Sequence, residues 1–510
     1  MHVAVPVTRR ALLRTSLVGL AGAILTACGP AVSPTATPAP AKPTEAPKPA
    51  AEPTKPAAAT AQTPATPAQP TPTPVPAPQP AAAAPAKATG PAKLSVYTPY
   101  TPSLEKEMLG VFAGYHKVNP NVDFDAPIWG GDAGQSYMEG LLARVAAGSP
   151  PDATILWHTP VSLGVLGVLL PVDDMMRQSK YSAAENWPKD MFASCQFRGK
   201  TYGFPSFNAV YAVWYNQEAL EQKGVPSKRD QFPKTWDEWR KVSASYTEWD
   251  GDKLKRVGFF PTWSYHPWLW TALNGAAPNY DAEKMRYNIQ QPQALETAEY
   301  LVKWIDEEFK GSAAKARASG LDFWEDKGGE PAWQDGRLIM AYGGNFSVGM
   351  YKSKKVPNFR WDVAKFPTGP KGEKQFSNYA ANWTGVLKGS KNPDATFGYL
   401  DWLNVEGLAI WSSTQPDLPA NRKFDPNFVP QIVVDARGAE YAKDFWSFFK
   451  SQGENTARIF ESPVAAIEKD QVKRTWERIL TKAQPPKEAL AEVEALLQRE
   501  LEKTMKVAGL

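Results

Sequence analysis

The sequence predicts an α/β protein, and three observations carry that expectation. Strand-like and helix-like segments alternate from Lys93 to Leu156, the pattern of a mainly parallel sheet covered by helices. All 59 aromatic residues lie in the 418 residues after position 92, a length that suits one large or two ordinary domains. The stretch from Gly29 to Ala92 holds 19 of the 48 prolines and no aromatic residue, so it cannot bury a core and stands apart from the globular region.

Taken in order, Thr8-Arg9-Arg10-Ala11 opens a positively charged start, and Ala11 to Ala27 is an apolar run that ends in Leu25-Thr26-Ala27-Cys28. Residues 1–27 read as a secretion signal, because the run is shorter than the ~20 apolar residues a lasting span requires. The paired arginines resemble a twin-arginine signal without its usual Phe, so the export route stays open. Leu-Thr-Ala-Cys resembles a bacterial lipobox, which implies lipidation of Cys28 and attachment to the outer face of a membrane, periplasmic or at the cell surface. Residues 28–92 then form a disordered tether, extended at up to about 3.1 Å per residue where it is polyproline-like.

Without this N-terminal part the chain carries 50 basic and 51 acidic residues, so the overall basic balance gives no argument for nucleic acid. His2, His116, His158 and His266 show no metal-ligand spacing, and Cys195 has no partner once Cys28 is acylated. Neither a metal site, nor a disulfide framework, nor a cofactor is expected.

Lys93 to Tyr97 reads as the first strand, and Leu104, Met108, Val111, Phe112 and Tyr115 share one side of a helix that runs to Val118. Asn121 to Phe124, Tyr137 to Ala147 and Asp152 to Leu156 continue as strand, helix and strand. In such sheets ligands sit beyond the carboxyl ends of the strands, here the loops at Tyr97 to Thr101, Trp129 to Tyr137 and Trp157 to Pro160. Phe197 to Asn216 reads as two extended runs, Thr201 to Phe204 and Val210 to Trp214, around Pro205-Ser206, with a turn at Arg198-Gly199-Lys200. Thr235 and Glu238 form a capping-box pattern, and helices are expected around Ala294 to Phe309 and Glu488 to Met505.

Several segments carry a resemblance in consistent order. They are A-G-S-P-P-D (147–152), G-V-L-L-P-V-D-D (167–174), G-K-T-Y-G-F-P (199–205), F-P-K-T-W-D-E-W (232–239), Phe366-Pro367 with Gly369-Pro370 and Gly372, and G-S-K-N-P-D-A (389–395). Together they are similar to the carbohydrate-type extracellular solute-binding lipoproteins (family 1) of ABC importers, the broad family that includes maltose-binding protein. The resemblance implies a two-lobed, type II periplasmic-binding-protein-like fold with a multi-crossover hinge. It would place residues 93–208 with 364–412 in lobe 1, and 209–363 with 413–510 in lobe 2.

The resemblance further implies a non-catalytic receptor that takes a sugar from solution and passes it to the transmembrane subunits of a permease. Trp129 and Asp132 lie in a Gly-rich loop, although Asp132 equally suits a turn or helix cap. Tyr100, Trp157, His158 and Asn208 stand at strand ends or the crossover. Trp263 and Tyr265 are offered for stacking on sugar faces, with His266 beside them and Trp268 divided between cleft and core. Asn345, Phe346, Asn382 and Trp383 occupy matching family positions after two further strands, and Phe346 equally suits packing. The 129–137 and 157–160 loops contain no Lys or Arg, which favours an uncharged mono- or oligosaccharide. A secreted glycoside hydrolase is the rival, with Glu185, Glu248 and Asp250 as conceivable carboxylates, and a surface lectin is a third reading.

Overall fold

The chain enters its sheets as two short strands rather than one. The computed structural model describes residues 91–130, 135–261, 267–318, 332–353, 357, 359–375, 377–453, 456–457 and 462–510. Cys28, nearly all of the tether, Asp132, Trp263, Tyr265 and His266 lie outside the described residues. β1 (Ala92–Leu94) pairs in parallel with β3 (Val122–Phe124), while β2 (Val96–Thr98) pairs in parallel with β4 (Ile128–Trp129) and β5 (Ala153–Leu156). The expected single strand breaks at Ser95, whose N–H and hydroxyl donate to Asp152 Oδ2 at 2.9 and 2.8 Å. Helix α1 (Glu105–Val118) buries Met108, Val111, Phe112 and Tyr115, the face expected from its periodicity, and α2 (Gln135–Ala146) follows β4.

β6 (Gln196–Phe197) and β7 (Lys200–Thr201) form a hairpin whose turn residues Arg198 and Gly199 both have positive φ, 47° and 74°. That is the backbone hand a two-residue hairpin requires. The first expected run, Thr201 to Phe204, is split between β7 and the next strand by Tyr202-Gly203, while the second lies within β8 (Phe204–Asn216), which is longer than expected and buried along its whole length. Pro205 is tolerated because the partner strand β15 (Ser377–Val386) takes two steps from Asn382 to Thr384, while β8 takes three from Phe207 to Phe204. The missing amide therefore falls in an interrupted part of the ladder. Ser206 stitches the bulge through its hydroxyl to Thr384 Oγ1 at 2.7 Å and Asn404 Oδ1 at 2.5 Å.

After β8 the chain forms α3 (Trp236–Ala244), entered through the expected capping box of Thr235 and Glu238. The hairpins β9 (Glu248–Asp250) with β10 (Lys253–Arg256) and β11 (Tyr280–Asp281) with β12 (Arg286–Tyr287) are separated by α4 (Pro267–Leu273) and followed by α5 (Pro292–Glu308). β13 (Met340–Gly344) and β14 (Trp361–Ala364) both pair antiparallel with β8, as does β16 (Leu418–Pro419). The main sheet runs β13-β8-β15-β5-β2-β4 and is mixed, because β15 runs against both β8 and β5 while β5, β2 and β4 are parallel to one another. Helices α6 (Ala465–Leu480) and α7 (Pro486–Val507) close the chain, with Leu490, Val493, Leu497 and Leu501 buried in the same core as α5.

The buried side chains divide into two lobes. One core contains Ala209 to Phe366, Leu418 and Val433 to Met505; the other side of β8 carries two clusters drawn from Ala92 to Phe207 and from Ala381 to Phe424. The return crossing therefore runs along β15 between Phe366 and Ala381, not at Val363, because Val363, Ala364 and Phe366 pack with the second lobe. The last crossing is not at Ser412: Leu418 packs with the second core, but Ala420 and Phe424 still belong to the first, so the chain passes over fully only after Phe424.

The sequence segments that carry the resemblance meet one another within each lobe. Asp152 accepts from Ser95 through Oδ2 and from the Ser390 hydroxyl through Oδ1 at 2.7 Å, tying two distant segments together. Asp173 accepts the Thr201 N–H at 3.0 Å, and a Cβ on Gly203 would lie 2.1 Å from the Thr384 carbonyl oxygen, so no larger residue fits there. Trp236 donates its indole N–H to the Pro367 carbonyl at 3.1 Å, while the backbones of Lys234 and Trp236 bracket Thr368. Each of these is a staple of the fold.

Candidate ligand-binding cleft

The carboxyl ends of β2, β4 and β5 deliver Tyr100, Trp129 and Trp157 to one edge of the first lobe. Tyr100 stacks on Trp411 with ring centroids 5.3 Å apart and meets Trp157 edge-on at 6.2 Å. Trp157 is half-buried, meets Tyr137 edge-on at 5.8 Å, and its backbone N–H donates to Tyr137 Oη at 3.2 Å. Trp129, also half-buried, packs against the same cluster. The second lobe contributes Lys469 of α6, whose Nζ lies 5.1 Å from the Trp157 ring centroid. This pair spans the two lobes: α6 is rooted in the second core through Ala465, Val472 and Trp476, and Trp157 packs on the first.

One carboxylate lies directly behind the aromatic rings. Asp417 is buried and accepts the Trp411 indole N–H at 2.8 Å; burial pushes its carboxyl up to about 7, so it is partly protonated at neutral pH. Burial, with the Asp417 carboxyl nearby, raises the Tyr100 phenol well above its usual range. Tyr100 Oη, Asn208 Oδ1, Gln415 Oε1 and Ser347 Oγ are buried without a hydrogen-bond partner among the described residues. Such orphans are uncommon in folded interiors and have capacity for the hydroxyls of a polar ligand. Asn382 is nearly buried on β15, opposite Phe207.

Three residues expected to face a ligand instead hold the fold. His158 is 2% exposed, with Nε2 at 3.0 Å from Met138 Sδ and Nδ1 near the Thr159 carbonyl and Ser162 hydroxyl; burial drops it to about 4, so it is neutral. Trp383 is buried and donates its indole N–H to Ser194 Oγ at 3.0 Å. Asn345 is fully buried, accepting the Val210 N–H at 2.9 Å and donating to the carbonyls of Asn208 and Pro416 at 3.1 and 2.6 Å. All of its amide capacity on β8 and the last crossing is thus used. Phe346 is half-buried and edge-on to Tyr211 at 5.8 Å. Trp268 resolves as core: it is buried, and its indole N–H donates to Glu468 Oε1 at 3.0 Å.

Four contributors escaped sequence reasoning: Tyr137, Trp411, Asp417 and Lys469. Trp411 and Lys469 come from helices more than 250 residues from Trp157, and a lysine in a charged helix reads as a solvated face. The carboxylates named for a hydrolase are exposed; Asp250 pairs with Lys255 at 3.0 Å, Glu248 lies 4.0 Å from Arg256, and Glu185 sits in a short helical turn. No helix among the described residues is long and apolar enough to cross a membrane.

Comparison with known proteins places this architecture. A binding protein of Brucella abortus (strain 2308) is 22% identical over 297 residues, which is 56% of this chain and 66% of the relative's own length. Mannotriose-bound CpMnBP1 superposes with a TM-score of 0.65 at 18% identity, covering 79% of this chain and 99% of its own. The ABC substrate-binding protein Lmo0181 from Listeria monocytogenes, in complex with cycloalternan, gives a TM-score of 0.66 at 18% identity over 81% and 99% of the two chains. The family model for bacterial extracellular solute-binding proteins matches residues 98–407, from the end of β2 through β15 and into the helices beyond it, and the chain belongs to that family.

Proposed function

We propose that this protein is the solute receptor of an ABC importer, capturing a mono- or oligosaccharide between its lobes and delivering it to the permease. The observation that carries the reading is the half-buried Trp129 and Trp157 beside Tyr100 at the strand ends, with the buried Trp411 and Asp417 packed behind Tyr100. Rings of this kind suit the apolar C–H faces of pyranoses, and fixed polar groups beneath them orient hydroxyls. The sugar-bound relatives of the same fold support the substrate class. The chemistry is adhesive, since the carboxylates considered for hydrolysis are exposed and lie on a solvated hairpin or turn. Lipidation at Cys28, with residues 29–92 as a tether, would hold the receptor at the outer face of the membrane.

A thermal-shift and calorimetric screen against manno-, malto- and other oligosaccharides tests the reading. A true ligand at 100 times its dissociation constant stabilises by about 2.7 kcal/mol and gives a clear shift in Tm. Solution scattering should then show a smaller radius of gyration on saturation. Stabilisation by amino acids or polyamines with no response to any carbohydrate would overturn the substrate class, and an unchanged scattering profile at saturation would favour a rigid lectin.

A further inference from the structure

Lys469 is a sheltered cation without a counter-charge. It is half-buried, its Nζ sits 5.1 Å from the Trp157 centroid, and no carboxylate among the described residues pairs with it. Arg229, by contrast, is held by Asp362 and Asp444 at 2.6 and 2.9 Å, Arg240 by Glu307, and the half-buried Arg437 donates to the Trp361 carbonyl, whereas Lys469 has neither among the described residues. The neighbouring acids on its own helix are engaged elsewhere. Glu468 turns into the second core to accept from Trp268, Tyr287 and Ser462, and Asp470 pairs with Arg474 at 2.9 Å. Lys473, one turn further on, adds positive charge rather than removing it, and Asp417 is taken by the Trp411 indole. Removing an ammonium from water without a partner is costly, and a cation–π contact offsets only part of that cost.

We propose that the cleft selects a sugar carrying an acidic group, whose anionic oxygen pairs with the Lys469 ammonium while the sugar ring lies along Trp157. This rests on the sugar-receptor reading and narrows it. It departs from the uncharged sugar expected from the sequence, because the charge is delivered by a distant helix rather than by the loops that hold the aromatic rings. The shared chemistry is an anionic oxygen on a pyranose substituent. A uronate carboxylate and a phosphate or sulfate ester both provide it.

Isothermal titration of the full chain with neutral mannotriose, trimannuronate, trigalacturonate, mannose 6-phosphate and a sulfated trisaccharide, at low and high salt, tests the assignment. At least one acidic sugar should bind tenfold or more tighter than its neutral counterpart, with an affinity that falls as salt rises. The acidic probe that binds identifies carboxylate, phosphate or sulfate as the source. Lys469→Met, which keeps an unbranched side chain and removes the charge, should bring the two affinities within about twofold, while Lys469→Arg should preserve the preference and shows that the position tolerates substitution. Binding of neutral sugars only, or a preference that survives Lys469→Met, overturns this inference and leaves the sugar receptor standing. Failure of every carbohydrate, neutral or acidic, overturns the receptor reading itself and this inference with it.

Discussion

Replacing Glu468 with Gln should make the protein more stable than wild type in alkaline solution and leave it nearly unchanged in acid. The Glu468 carboxyl is 2% exposed and accepts from Trp268 at 3.0 Å and from Tyr287 and Ser462 at 3.1 Å each. Burial outweighs these three bonds and raises it from 4.5 to about 7. A carboxyl raised in the folded state contributes stability that is fully present below its unfolded value and is lost as pH climbs through the folded one. At 1.36 kcal/mol per pH unit, the loss between about pH 4.5 and pH 8 is about 3 kcal/mol. Asp417 titrates in the same direction and window, so the wild-type profile alone cannot apportion the effect. The difference between wild type and Glu468→Gln can, because Asp417 is common to both. Urea denaturation at half-unit pH intervals should show that difference near zero at pH 4.5 and growing to about 3 kcal/mol by pH 8.5. Parallel profiles separated by a constant offset would refute the titration of Glu468 near neutrality.

Asn345→Ala should cost about 2–4 kcal/mol, read from the urea midpoint, because it strands the Val210 N–H and two buried carbonyls. Trp383→Ala should destabilise by about 3–5 kcal/mol through the cavity it leaves. Trp157→Ala should weaken sugar binding tenfold or more in calorimetry while changing Tm little; equal effects of the two tryptophans on Tm would remove the distinction between cleft and core. Cys28→Ala should move the protein from the membrane to the soluble fraction in a host with an active lipoprotein pathway, and identical fractionation would sink the anchor.

The fold was legible because its sequence signals are staples. Asp152, Asp173, Gly203, Trp236 and Pro367 stand in the segments that carry the resemblance, and each closes a specific contact to the backbone between separate parts of the chain. Periodicity found the buried face of α1 because one apolar stripe has one place to go. The cleft was only half legible. Aromatic residues at strand ends were named from the strand order, but on β15 strand alternation turns Trp383 inward while Asn382 faces the other way. His158 looked adhesive by its position after a strand, yet α2 covers it with Met138. Lys469 could not be recognised because its significance lies in what is missing around it, and no local pattern encodes that.

The single strand β8 places Phe204 and Phe207 in one lobe and Val210 to Tyr215 in the other, and β15 crosses back alongside it. Neither half is therefore an autonomous folding unit. The ladder between Ala209 and Ala380 joins residues far apart along the chain, so the entropy of closing that loop must be spent before either sheet gains its central strand. Synthesis has to pass Val386 before the first lobe can assemble, and α7 must follow before the second is sealed by Leu490, Val493 and Leu497. A fragment cut at either crossing would expose the edges of both long strands and be prone to aggregate, whereas the intact chain should melt in one cooperative transition despite its two lobes.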